Sequence, residues 1–128
     1  MRALRGATTV TYGGSSSADS ARTATQELLG ELLARNDLHV DDVVSALFTL
    51  TPDLAGAAPA LAAREVGWHD VPMLIAAEAP AQGSLPRCIR VLLHVETNRP
   101  RAGMRHVYLG GARVLRPDLH GDAFPEGH

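Results

Sequence analysis

The chain lacks several features that define large classes of protein. It has 128 residues and a single cysteine, Cys88, so no disulfide can form within it and no cysteine-rich zinc site can be built. No uninterrupted apolar run approaches the roughly 18 residues needed to span a membrane, and no apolar signal core follows the first residues. We therefore expect a cytoplasmic protein.

The chain also has little net charge and few aromatic residues. The formal net charge is -2 and aromatic residues make up 4% of the chain, which gives neither a basic surface for nucleic acid or anionic membranes nor a base-stacking surface. We expect no nucleic acid and no membrane among the partners. At 45% hydrophobic and 20% charged residues, the composition is that of one compact domain rather than a disordered chain.

Lysine is absent, so all 12 basic side chains other than histidine are arginines. A compositional bias would explain this. The alternative is that some arginines bind a planar anion, because a guanidinium holds carboxylates bidentately and an ammonium does not. Sequence position favours the alternative for Arg5 and Arg90, which lie within predicted strands where an unpaired charge costs several kcal/mol.

Common catalytic motifs are missing as well. The sequence has no G-x-S-x-G, no H-E-x-x-H, no phosphate-binding loop and no dinucleotide fingerprint. The six histidines are scattered, so we expect no metal site. Cys88 lies within a predicted strand, and we expect a buried structural thiol rather than a nucleophile.

Residue patterning predicts an α+β fold with a mixed five-stranded sheet, one long helix and short helices. The long helix begins near Ser16 or Ser17 and ends near Asn36. Strand patterns cover residues 2–12, 42–50, 71–77, 87–97, and 105–109 with 112–115, the last two joined by a hairpin-type turn at Gly110 and Gly111. Short helices are expected after Pro52 and over 59–65.

Two features of this pattern bear on assembly and domain limits. The strand 71–77 is almost continuously apolar and is predicted to be buried on both sides. One helix cannot cover both faces of such a sheet, so we expect self-association. The domain is expected over residues 1–119, with a flexible C-terminal tail at 120–128.

Six blocks, in order and at nearly constant spacing between about residue 3 and residue 119, resemble the AroH-class monofunctional chorismate mutases. The blocks are Arg5–Val10, Thr51–Leu54, Arg64–Trp68, Cys88–Val91, Arg105–Leu109 and Val114–Leu119. The resemblance implies a homotrimer around a pseudo-β-barrel core, with an active site at each subunit interface. It also implies conversion of chorismate to prephenate without cofactor or metal.

The resemblance further implies roles for named residues. Arg90 faces the ether oxygen and a carboxylate of the substrate, Arg5 and Tyr108 bind carboxylate, and Glu78 accepts from the ring hydroxyl. Arg64, from a neighbouring subunit, and Arg116 lie at the pocket mouth. The pocket wall is formed by Leu74, Ile75, Ala76 and Ala77.

Three positions depart from the family pattern. Family members often have phenylalanine where Ala58 stands, lysine where Leu61 stands and cysteine where Ile75 stands. These changes bear on substrate affinity more than on the chemistry. Two other functions stay open at this point, an imine deaminase and a non-catalytic trimer that binds a small acid.

Overall fold

A five-stranded mixed sheet forms the frame of the protein, seen in a computed structural model that describes residues 1–10, 17–54, 56–79 and 85–115. The strands are β1 (Arg2–Thr9), β2 (Val43–Leu50), β3 (Met73–Ala77), β4 (Cys88–Val95) and β5 (Val107–Tyr108). Their order across the sheet is β3-β2-β4-β1-β5. β4 pairs antiparallel with both β1 and β2, whereas β3 and β5 add in parallel at the two edges. The predicted mixed five-stranded sheet is confirmed.

Two α-helices accompany the sheet, α1 (Ser17–Arg35) and α2 (Pro59–Glu65). Pro59 begins α2 at the first helical position, where its missing N–H is not needed. Short 3-10 helices cover Val40–Asp42, Pro52–Leu54, Arg101–Gly103 and Gly110–Leu115. No helix among the described residues is long and apolar enough to cross a membrane.

One face of the sheet packs against α1. The inward residues of β4 are the alternating apolar set predicted from sequence, and they are at most 3% exposed: Ile89, Val91, Leu93 and Val95. From α1, Leu28, Leu29 and Leu32 are fully buried in the same cluster. A Cβ on Gly6 of β1 would lie 2.8 Å from Leu32 Cδ1, so glycine permits the close approach of helix and strand.

The prediction that residues 71–77 form a strand buried on both sides is wrong for the single chain. β3 lies at the sheet edge, and Leu74 and Ile75 are 72% and 45% exposed. An apolar run on both faces indicates burial. Among the described residues, however, β3 pairs only with β2, and no strand lies at its outer edge.

The predicted strand 112–115 and its hairpin are also wrong. Gly110–Leu115 is a 3-10 helix. The Gly111 N–H donates to Thr9 Oγ1 at 2.8 Å, and Ala112 is fully buried beside Cys88 and Tyr108. Because of these contacts the chain stays against β1 and does not form a hairpin with β5. The expected tail at 120–128 lies outside the described residues.

Candidate active site

On the sheet face opposite α1, several polar side chains lie side by side on neighbouring strands. Ala7 of β1 pairs with Arg90 of β4 on one side and with Tyr108 of β5 on the other, and Arg90 in turn pairs with Thr49 of β2. Directly paired residues project from the same face of a sheet, so these residues form one cross-strand row. The neighbouring row contains Arg5, which pairs with Leu92.

A cavity of about 290 Å³ opens on this face. Its lining residues, drawn from four strands, are Arg5, Gly6, Ala7, Leu47, Thr49, Arg90, Val91, Leu92 and Tyr108. The lining therefore combines two guanidinium groups and a phenol with an apolar wall, which is typical of a small-molecule site with a few polar groups that fix orientation. Three predicted site residues, Arg5, Arg90 and Tyr108, meet here.

Glu78 joins this group through its contacts with two neighbours. Glu78 Oε2 lies 3.4 Å from Arg90 Nε and accepts a 2.6 Å hydrogen bond from Thr49 Oγ1. The Glu78 backbone N–H donates to the Leu50 carbonyl at 2.8 Å, which fixes the chain immediately after β3. The side chains of Arg90 and Glu78 are 37% and 24% exposed, so the ion pair is partly shielded from water.

Two polar atoms of the cavity residues, Arg90 Nε and Tyr108 Oη, are buried and have no hydrogen-bond partner among the described residues. Buried donors are normally satisfied, and such exceptions require an explanation. Both belong to residues that line the cavity, and both can donate to an anionic oxygen. The site is therefore suited to a ligand rich in acceptors.

Cys88 lies beside Arg90 but has the environment of a structural thiol. It is fully buried with Ala7, Tyr108 and Ala112. Burial raises the pKa of the thiol above its ordinary value, although the positive charge of Arg90 acts in the opposite direction. A thiol that stays protonated is a poor nucleophile.

Asp53 fixes the start of β4. This strand begins at Cys88, two residues before Arg90. Both of its carboxylate oxygens accept from the Arg87 backbone N–H, at 3.1 and 2.9 Å, and Oδ1 also accepts from Thr51 Oγ1 at 2.5 Å. Thr51 Oγ1 accepts in turn from the Cys88 N–H at 3.0 Å. Arg87 has φ of 53°, a left-handed conformation that costs free energy in a non-glycine residue. The carboxylate holds this turn and with it the register of Arg90.

The segment that carries Tyr108 is fixed in a similar way. The buried Asn36 side chain, just beyond α1, accepts from the Arg105 N–H at 2.7 Å and donates to the Arg105 carbonyl at 2.9 Å. His106 Nδ1 accepts from the Arg5 N–H at 3.0 Å. β5 is only two residues long, so these side-chain contacts supply much of what positions it.

The other predicted residues do not line the cavity in the single chain. Arg64 is exposed on α2, and the wall residues Leu74–Ala77 form the exposed edge strand β3. Arg116 lies outside the described residues. No group of three or more His, Cys, Asp or Glu side chains capable of holding a metal ion occurs in the described part of the chain.

Thr49 and Asp53 are site-forming residues that sequence reasoning missed. Thr49 lies in a strand that is largely apolar on both faces, and period-two alternation places it on the same face as Leu47. This alternation in the sequence indicates which face of the sheet the Thr49 side chain occupies. Its bond to Glu78 depends on the register between β2 and the end of β3, which no local pattern specifies.

Comparison with known proteins agrees with this geometry. The family model for chorismate mutase type I matches residues 1–119. The chain is 45% identical over 120 residues to the chorismate mutase AroH of Thermus thermophilus, covering 93% of this chain and 96% of the relative. The chorismate mutase AroH of Bacillus subtilis strain 168 is 41% identical over 120 residues, covering 93% and 92%.

A solved structure is similar as well. A chorismate mutase from Clostridium thermocellum superposes with a TM-score of 0.83 at 44% identity, covering 89% of this chain and 99% of that chain. Fold and sequence thus agree along nearly the whole domain, and the chain belongs to the type I chorismate mutase family.

Proposed function

We propose that the protein converts chorismate to prephenate by a Claisen-type rearrangement in the cavity between β1, β2, β4 and β5. The observation that carries the proposal is the meeting of Arg5, Arg90 and Tyr108 around one cavity, with Glu78 beside Arg90. Chorismate has two carboxylates, an ether oxygen and a ring hydroxyl. Two guanidinium groups, a phenol and one carboxylate complement those groups.

The reaction is concerted, and no proton has to be transferred. The protein has to hold the enolpyruvyl side chain over the ring in a chair-like geometry, which accelerates the reaction through orientation. It also has to stabilise the negative charge that develops on the ether oxygen as the carbon–oxygen bond breaks. A fixed cation in a partly water-excluded site does this because the charge is already oriented when the reaction begins.

We assign this role to Arg90. The support is that Arg90 lies in the middle of the cross-strand row and that its buried Nε has no hydrogen-bond partner in the described part of the chain. Arg5, in the adjacent row, binds a carboxylate and helps to position the side chain of the substrate. The Tyr108 hydroxyl donates to a carboxylate, while Glu78 accepts from the ring hydroxyl and faces the fragment that becomes electron-poor.

The proposal includes a homotrimer with the sites at the subunit interfaces and the sheets around a pseudo-β-barrel core. Its support is the apolar surface that one chain leaves uncovered: Leu47 is 37% exposed on the cavity face, and Leu74 and Ile75 are exposed on β3. In such an assembly Leu74–Ala77 would complete the pocket wall. Arg64 would reach it from the neighbouring subunit, and Arg116 would lie at its mouth.

The direct test is to mix the purified protein with chorismate and follow the ultraviolet absorbance of the substrate. We expect the absorbance to fall and prephenate to accumulate. Binding of chorismate by calorimetry without loss of absorbance would instead indicate a non-catalytic binding protein. Release of ammonia from an enamine substrate, with chorismate unchanged, would indicate an imine deaminase.

A further inference from the structure

Thr49 is a half-buried residue of β2 that lines the cavity directly opposite Arg90 in the strand register. Its hydroxyl donates to Glu78 Oε2 at 2.6 Å, a short bond to a charged acceptor. Thr49 therefore contacts the carboxylate that is the ionic partner of Arg90.

Glu78 Oε2 contacts both Thr49 and Arg90, but it lies closer to the Thr49 hydroxyl than to Arg90 Nε. Arg90 Nε is 3.4 Å from Glu78 Oε2, although a charge-assisted hydrogen bond between such groups is about 2.7–2.9 Å long. Arg90 Nε is buried and makes no hydrogen bond with any residue that the structure describes. The carboxylate is thus hydrogen-bonded to the hydroxyl of β2, and it makes an ion pair but no hydrogen bond with the guanidinium Nε.

This separation matters because Arg90 has two possible anionic partners. If Glu78 hydrogen-bonded to the guanidinium, whose side chain is 37% exposed, it would compete with an oxygen of the substrate for Arg90 and would neutralise part of the charge that stabilises the transition state. Substrate would then have to displace the carboxylate before it could bind.

We propose that Thr49 is a positioning residue: its hydroxyl holds Glu78 in an orientation that makes no hydrogen bond with Arg90 Nε, and it keeps that guanidinium available to the substrate. The inference rests on the proposed function, since it concerns the use of Arg90 in that reaction. Thr49 itself need not touch the substrate.

The test compares Thr49→Val, which removes the hydroxyl at nearly constant shape, with Thr49→Ser, which keeps it. We expect Thr49→Val to raise KM for chorismate about tenfold or more, with a smaller fall in kcat, because Glu78 competes with substrate for Arg90. We expect Thr49→Ser to restore KM to near the wild-type value. Thr49→Ala makes the same test if the valine variant does not fold.

A second comparison separates positioning from a merely structural role. The Glu78→Gln background removes the charge that competes for Arg90, so adding Thr49→Val there should change KM little, a non-additive result. Thr25→Val is the matched control, since Thr25 is a buried threonine of α1 whose hydroxyl donates to the Ala21 carbonyl. It should leave KM unchanged.

The outcomes are distinct. Wild-type turnover together with an unchanged KM in Thr49→Val overturns the role of Thr49 and leaves the proposed function intact. An equal rise in KM with and without Glu78→Gln also overturns it, because the effect would not pass through Glu78. Wild-type protein that does not consume chorismate overturns the proposed function and this inference with it.

Discussion

At the scale of the residue, the site keeps positive charge that the described part of the chain does not fully neutralise. Arg5 and Arg90 line the cavity, whereas Glu78 is the acidic side chain paired with Arg90, at 3.4 Å. In the proposed function, this excess of guanidinium groups would attract a dianion and hold it by charge-assisted hydrogen bonds. Arginine suits both tasks because its planar fork stays charged and matches carboxylate geometry.

Cys88 gives the stability of the fold a dependence on alkaline pH. Burial raises the pKa of its thiol above the ordinary value of 9.0. As the pH rises past that value, the thiol ionises in the unfolded chain while it stays protonated in the native state. The native state then binds more protons, so the free energy of unfolding falls with rising pH.

This effect is measured by denaturant unfolding of wild type and Cys88→Ala at pH 7 and pH 10. Wild type should lose more stability between the two pH values than the variant, in which this thiol is missing. Equal losses in the two proteins would contradict the account, since other groups titrate alike in both.

Single residues of the site were predictable to different degrees. Arg90 and Arg5 stand out in the sequence because charge within a strand requires a partner, whereas Glu78 and Tyr108 were assigned from family resemblance. Thr49 was missed, because a threonine in an apolar strand carries no sign of its partner. Its bond to Glu78 arises from the parallel register of β2 and β3 and is a tertiary property.

At the scale of the element, the contact between α1 and β1 determines how closely helix and sheet approach. A Cβ at Gly6 would lie 2.8 Å from Leu32 Cδ1 and 3.1 Å from Leu28 Cδ1, both side chains of the buried face of α1. By contrast, nothing lies within 4 Å of a Cβ built on Gly30, in the same helix. Alanine substitutions at Gly6 and Gly30 therefore compare a tightly packed position with an open one.

We expect Gly6→Ala to lower the free energy of unfolding by about 1–3 kcal/mol through overpacking. Gly30→Ala should raise it by about 0.5–1 kcal/mol, because alanine restricts the unfolded chain and favours helix. Denaturant unfolding of both variants tests this. A Gly6→Ala protein as stable as wild type would mean that α1 does not pack as closely as described.

The elements predicted from sequence differ in accuracy for physical reasons. The alternating pattern of β4 identified its core face, since that face is covered by α1 of the same chain. The apolar pattern of β3 predicted burial that one chain does not provide. The segment 110–115 was predicted as a strand from its residues, but its conformation follows from the Thr9 contact and the burial of Ala112.

At the scale of the whole molecule, one sheet face is covered by α1 and the other carries the cavity and exposed apolar residues. Large apolar side chains at an uncovered edge favour association, because burying them releases water. The homotrimer we propose would use this surface and would explain why β3 is apolar on both faces.

Sedimentation should therefore give a mass of about three times the 13.6 kDa chain. Leu74→Asp places a charge where Leu74 is 72% exposed in the single chain, and we expect it to shift the protein to smaller species and to lower turnover of chorismate. A wild-type monomer that is fully active would contradict the proposed assembly. So would a Leu74→Asp variant that stays trimeric and active.

The central claim is that the fixed charge of Arg90 stabilises the transition state. The most direct measurement is kcat/KM for chorismate in wild type and Arg90→Ala, with Arg35→Ala as control because Arg35 is a surface residue of α1 paired with Glu31. We predict that Arg90→Ala loses at least about 3 kcal/mol of transition-state stabilisation, a hundredfold or greater fall, while Arg35→Ala keeps wild-type activity. Near-wild-type kcat/KM in a folded Arg90→Ala protein would contradict the account.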